Sequence, residues 1–321
     1  MDALHEAALI AARDCMGIQN HETVLIVSDA ITRKIGQALF DVSRDLCREV
    51  FMIEIVPRSV NGEEPPELVA EAMQKVDVVI APLSTSITHT NARRMACAEG
   101  TRVGTMPGIN EDIMVRTMRA DYHQIARLTH QVRDILNAGK QVHITSPAGT
   151  DLRFPIEGIN AIASTGLILE RGAFGNLPSG EAYLMPAEGK AEGILVIDGS
   201  MAGIGLITDT PIRITVEKGK AVRFEGGKEA AALEDMVNAI GEAARNIAEF
   251  GVGTNDMAKV TGKILEDEKV KGTIHVALGN NISMGGTVNV PFHVDGVVLK
   301  PTVYVDDILL LKDGQLRVEN T

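Results

Sequence analysis

The spacing of hydrophobic and polar positions changes character once along the chain. In the first part, short β-branched runs alternate with amphipathic stretches. Thr23–Val27 predicts a strand, followed by a helix carrying Ile35, Leu39 and Val42. Val50–Ile55 predicts a second strand, ended by Pro57. After the polar segment Asn61–Pro66 come a helix to about Lys75, a strand over Val76–Ala81, a helix near Asn91–Ala98 and a strand over Arg102–Thr105. Strands separated by helices imply right-handed βαβ units and a parallel sheet covered on both faces. An amphipathic stretch from about Ala120 to Ala138, ended by Gly139, predicts a linking helix.

From Gln141 onward the period shortens to that of strands. His143–Phe154 reads as one hairpin, and Ile212–Val222 as another with Lys218-Gly219 in its turn. Further strands are predicted at Gly193–Asp198, Thr273–Leu278, Val288–Val294 and Val303–Leu311, with one strong helix from about Glu229 to Ala248. The expected fold class is therefore α/β. A doubly wound, Rossmann-like scaffold domain over residues 1–139 precedes a β-rich α+β domain over residues 140–321 that would carry the chemistry.

Composition narrows this picture. Aromatic residues are 3% and Trp is absent, so the core must be aliphatic. The net charge of −12, without a run of Lys or Arg, argues against nucleic acid as a partner. The three cysteines, Cys15, Cys47 and Cys97, form no framework and read as free thiols in a reducing compartment. The first residues have no basic and apolar leader pattern, and no apolar run reaches the length of a bilayer span. A cytoplasmic protein without membrane contact is expected. The first strand is not followed by a G-x-G-x-x-G turn, and no P-loop occurs. Ser28-Asp29 and Ser84-Thr85-Ser86, at predicted strand ends, read as helix caps.

The candidate chemistry lies in the second half. His293-Val294-Asp295 on a strand places imidazole and carboxylate on one face. If the strand holding His275 pairs with it, a third donor arrives beside them, a set suited to Zn, Mn, Fe or Co. Glu249 is expected at a helix C-terminus, where the dipole disfavours a carboxylate and a cation would offset the cost. Glu181 follows a Gly/Pro-punctuated loop leading into a strand, a rigid mount for one carboxylate. His5, His21, His89, His123 and His130 read as surface or capping residues, and no nucleophile elbow supports a serine hydrolase.

Taken together, GNLPSGEAYLMP (175–186), AEFGVGTN (248–255), HVALG (275–279) and HVD (293–295) resemble the aminopeptidase T family of metallopeptidases, which includes PepS and AmpS. That resemblance implies a homodimeric metallo-aminopeptidase, a hydrolase removing N-terminal residues from peptides or cleaving a related small amide. Its dinuclear Zn, Co or Mn site would be held by Glu181, Glu249, His275, His293 and Asp295. The family's catalytic tyrosine has no counterpart in residues 279–283, so Tyr183, Tyr304 or an Asn would have to donate to the developing oxyanion. Glu181 and Tyr183 are the expected catalytic pair. A rival from the same superfamily, the 2,5-dihydroxypyridine 5,6-dioxygenases, uses one Fe(II) on two histidines and a carboxylate, which His275, His293 and Asp295 would supply. A metal-binding homologue without catalysis is a third reading.

Overall fold

A computed structural model describes residues 2–318. By Cα proximity the chain forms two compact units, residues 1–126 with 166–179, and residues 127–165 with 180–321. The division is thus not a single cut near residue 139. A short excursion returns to the first unit because its strand pairs there.

In the first unit, α1 (Ala3–Ile10) is capped by Asp2, whose carboxylate accepts from the His5 N–H. Then follow β1 (Thr23–Asp29), α2 (Arg33–Ser43), β2 (Glu49–Ile55), α3 (Glu67–Met73), β3 (Val78–Leu83), α4 (Asn91–Ala98), β4 (Arg102–Pro107) and α5 (Glu111–Thr117). α6 (Tyr122–Ala138) is the predicted linking helix. All strand pairings in this unit are parallel, in the order β2-β1-β3-β4 with one further strand beyond β4. β1 and β3 are buried nearly throughout, as expected of strands covered on both faces. The expected doubly wound sheet is present. The capping expectation at Asp29 is corrected: its carboxylate accepts from the Ile31 and Thr32 N–H groups and from Ser84, tying the end of β1 to the end of β3.

The second unit begins with the hairpin β5 (Gln141–Thr145) and β6 (Asp151–Pro155), then β7 (Ile162–Ser164). β8 (Phe174–Asn176) is the excursion, pairing with β4. β9 (Glu181–Leu184), β10 (Glu192–Ile197), β11 (Ser200–Met201), β12 (Gly205–Leu206) and the hairpin β13 (Ile212–Glu217)/β14 (Lys220–Glu225) follow. The turn of that hairpin is Lys218-Gly219, both at positive φ, the conformation a two-residue hairpin loop requires. After α7 (Lys228–Ile240) come β15 (Ile247–Gly253), α8 (Ile264–Asp267), β16 (Ile274–Gly279), β17 (His293–Val298), β18 (Thr302–Val305), β19 (Ile308–Lys312) and β20 (Gln315–Leu316).

These strands form two antiparallel sheets, β14-β13-β10-β6-β5-β18-β19-β20 and β12-β11-β17-β16-β15-β9-β7. One apolar cluster gathers residues of both sheets with Val132 and Leu136 of α6 and Leu233 and Val237 of α7. It is aliphatic apart from a few rings such as Phe154 and Phe250, one from each sheet, whose centroids are 5.4 Å apart.

Three predicted elements are redrawn. The helix expected to reach Ala248 stops at Ile240, because Gly241 takes φ 107° and turns the chain. After a 3-10 turn over Glu242–Arg245, Ile247–Gly253 is a fully buried strand, so Glu249 sits on a central strand and not at a helix end. The strand expected at Val288–Val294 instead runs from His293 to Val298. Val303–Leu311 is a hairpin turned at Asp306-Asp307.

Candidate metal centre

Cross-strand register builds the site. β16 pairs with β17 so that Gly279 faces His293, Ala277 faces Asp295 and His275 faces Val297. On its other side β16 sets Glu249 opposite Ala277 and Gly251 opposite His275. β15 in turn sets Gly251 opposite Tyr183 and Gly253 opposite Glu181. Directly opposed residues share a face and successive residues alternate. Glu181, Tyr183, Glu249, His275, His293 and Asp295 therefore project from one face, while Ala182, Leu184, Phe250, Val252, Ile274, Val276, Leu278, Val294 and Val298 enter the core behind it.

The side chains converge. The Glu249 carboxylate lies between the two rings, Oε1 3.2 Å from His275 Nε2 and Oε2 3.4 Å from His293 Nε2. His293 Nε2 is also 3.7 Å from Asp295 Oδ1, and His275 Nε2 is 3.5 Å from Glu181 Oε2. Donor atoms of Glu249, His275 and Asp295 lie within 4.8 Å of one another, a spacing that can hold a divalent metal. A second such group joins Glu181, His275 and Glu268. All five residues singled out in the sequence as ligands are thus in one neighbourhood. Tyr183 is on the same face and half-buried, whereas Tyr304 lies on β18 in the other sheet.

Two supports fix the imidazoles. His293 Nδ1 is 2.7 Å from the Asn280 carbonyl, which can only accept, so Nδ1 carries a hydrogen and Nε2 is the nitrogen turned inward toward the carboxylates. The loop presenting that carbonyl is pinned by Glu188, which accepts from the Asn281 amide and from the Thr287 N–H and hydroxyl. His275 is fully buried and leans over Gly251, where a Cβ would stand 2.1 Å from its ring. Its Nδ1 and Glu181 Oε2 have no hydrogen-bond partner.

Two site residues escaped the sequence reading. Lys269, 1% exposed, donates from Nζ to Glu181 Oε1 at 2.8 Å and to Glu268 Oε1. Both belong to the run Glu266-Asp267-Glu268-Lys269, whose composition reads as a solvated turn. The run is buried because Glu266 and Asp267 accept from the Lys259, Thr261 and Gly262 N–H groups. No periodicity in the sequence signals it.

Charge dominates the energetics. Burial alone would raise the Glu249 pKa, but its bonds to His275 and His293 outweigh that and bring it down to about 2. Burial would lower His275, yet Glu249, Glu181 and Asp295 raise it to about 9. His293 is raised for the same reasons, by Asp295 and Glu249. Burial lifts Glu268 to about 8 against the pull of Lys269. Lys269 is held charged, since Glu181 and Glu268 overcome the desolvation that would lower it. Burial, then the nearby Glu249 and Glu181, keep the Tyr183 phenol neutral. With neutral imidazoles, the carboxylates of Glu181, Glu249 and Asp295 face one ammonium. Buried charge of one sign is costly, and a divalent cation offsets it.

Comparison with known proteins follows the same site. The family model for NicX, 2,5-dihydroxypyridine 5,6-dioxygenase, matches residues 9–318. A curated 2,5-dihydroxypyridine 5,6-dioxygenase of Pseudomonas putida KT2440 is 25% identical over 257 residues, spanning 76% of this chain and 72% of that protein. The solved 2,5-dihydroxypyridine dioxygenase of Pseudomonas putida KT2440 superposes with a TM-score of 0.85 at 19% identity, covering 100% of this chain and 99% of that one. Wild-type AmpT from Thermus thermophilus superposes with a TM-score of 0.71 at 18% identity, over 98% and 99% of the two chains. The likeness to AmpT is one of fold. The expectation of a hydrolase, and of a metallo-aminopeptidase in particular, is overturned by the family match, which points to an oxidoreductase. Among the described residues no helix is long and apolar enough to cross a membrane.

Proposed function

The chain belongs to the 2,5-dihydroxypyridine 5,6-dioxygenase family, and on that premise we propose that it is a mononuclear non-haem Fe(II) enzyme cleaving a dihydroxylated pyridine ring. His275, His293 and Asp295 would hold the iron. The observation that carries this reading is the inward-facing Nε2 of His293, fixed by Asn280 and sharing one sheet face with His275 and Asp295. Two histidines and one carboxylate are the donor set of non-haem Fe(II) oxygenases, and Fe(II) so held supplies redox chemistry with coordination positions left open.

The chain's own residues have distinct tasks. Glu249 spans both imidazoles and holds their Nε2 atoms toward each other. Tyr183, neutral and on the same face, offers a phenol hydrogen to a ring substituent of the substrate. Glu181 is held through Oε1 by Lys269 while Oε2 has no hydrogen-bond partner and faces His275. That oxygen is placed to take the proton from a substrate hydroxyl.

The test is anaerobic purification without chelator, iron determination, and oxygen uptake with 2,5-dihydroxypyridine. One iron per chain and equal molar loss of dioxygen and substrate are expected, with Zn(II)-substituted protein inactive. His293→Ala should lose iron and turnover together. Iron-replete protein that consumes neither oxygen nor any hydroxylated pyridine would end this reading.

A further inference from the structure

Lys269 has no part in holding the proposed iron, yet it is among the most deeply buried charged side chains in the chain. Its ammonium lies against two of the three residues that form the second metal-competent group, Glu181 and Glu268, the third being His275. The position is built. Gly253 lacks a side chain where a Cβ would come within 2.2 Å of the Val270 carbonyl, so the backbone after Lys269 packs directly onto β15. An Asn255–Val270 bridge and the Asn255 N–H to Lys269 carbonyl bond fix the segment from which the lysine enters.

An ammonium is a point charge with three donors and no acceptor. Seated on Glu181 Oε1 and Glu268 Oε1, it takes one oxygen of each carboxylate that a second ion would need, and it repels any cation that approaches them. We propose that Lys269 acts as a resident counter-cation that takes the place of a second metal ion, so that a site with donors enough for two ions binds one. This rests on the single-iron reading above and extends it. Lys269 is a positioning residue in this scheme: it withdraws Glu181 from the donor set and holds it for the substrate.

Metal stoichiometry tests the idea separately from turnover. Protein stripped of metal is dialysed against increasing Mn(II), and bound ions per chain are counted by mass spectrometry of the elements. The unaltered chain should saturate at one ion and Lys269→Arg, which keeps the charge, should do the same. Lys269→Met should take up two. Because removing one partner of a buried ion pair can unfold a protein, Lys269→Gln, neutral but still able to donate to Glu181 and Glu268, is the companion variant and should also gain a second ion. One ion on folded Lys269→Met or on Lys269→Gln would overturn the proposal while leaving the single-iron reading standing, and two ions on the unaltered chain would overturn both. No ion on the unaltered chain would remove the single-iron reading and this one with it.

Discussion

Gly251 sits opposite both His275 and Tyr183 in the middle of the site sheet, and its missing side chain is where the imidazole of His275 lies. A Cβ added there would stand 2.1 Å from both Cε1 and Nε2 of the ring. Carbon contacts settle near 3.5–4.0 Å, so Gly251→Ala demands a displacement of about 1.4–1.9 Å. β15 is buried along its whole length and paired on both sides, so the strand cannot yield. The ring must swing, carrying Nε2 away from Glu249 and the other donors. Overpacking of a filled interior costs about 1–3 kcal/mol, which for domains of this size lowers Tm by about 2–12 °C. Misorientation of one ligand costs about 10–100-fold in metal affinity. The assay is a competition titration of iron against a chromogenic chelator, run beside thermal unfolding of the metal-free protein. Gly36→Ala serves as the comparison, since its Cβ would press to 2.8 Å on Ser28 in the other unit. It should lose stability without losing iron affinity. Unchanged iron affinity in Gly251→Ala, or equal loss in both variants, would refute the argument that this glycine exists to seat His275.

Two further outcomes follow from the buried charges. In the metal-free protein, His275 is raised to about 9 and Glu268 to about 8, so the stability each contributes is complete below its unfolded value and is lost as pH climbs through those figures. Glu249, lowered to about 2, contributes stability that is complete above its unfolded value of 4.5 and is lost as pH falls from there toward 2. The metal-free Tm should therefore be highest near pH 4.5, falling with Glu268 from there and with His275 as well above about pH 6.5, and a flat profile from pH 5 to 9 would contradict the assignment. In the first unit, Glu22 takes two bonds of 2.8 Å from the buried guanidinium of Arg102. Glu22→Ala strands that charge, at about 3–5 kcal/mol, so scanning calorimetry should show a Tm lower by about 6–20 °C with iron content unaltered.

Much of the fold was legible because it rests on local rules. The βαβ alternation of the first half, the hairpin turned at Lys218-Gly219 and the helix ending before Gly139 all announce themselves by period or by a glycine that breaks it. His275, His293 and Asp295 were legible for the same reason, since alternation within a strand assigns them a face. Glu249 was placed on the wrong element because Ile247–Gly253 is buried on both sides of the strand and shows no alternation. Ile247-Ala248, soon after a helical stretch, reads as its last turn until Gly241 is seen to stop it. The excursion through Phe174–Asn176 was invisible, because parallel pairing with β4 is a long-range choice that three residues cannot encode.

The identity of the donors did not choose the chemistry. Two glutamates, two histidines and an aspartate in the right order imply a two-ion hydrolase by resemblance, and the register does bring all five to one face. On the proposal above, what separates one ion from two is a cation delivered by a segment outside the sheet. Glu266-Asp267-Glu268-Lys269 looks like solvated surface because four consecutive charges rarely go inside. They go inside here because two of the carboxylates are consumed by backbone N–H groups of residues 259–262, and the remaining glutamate and lysine are delivered to Glu181. On the reading proposed here, the ammonium of Lys269 occupies Glu181, and the donors left over are His275, His293 and Asp295 with Glu249 between the rings. That remainder is the donor set of an Fe(II) oxygenase, so one buried lysine separates the hydrolase reading of this sheet from the ring-cleaving one.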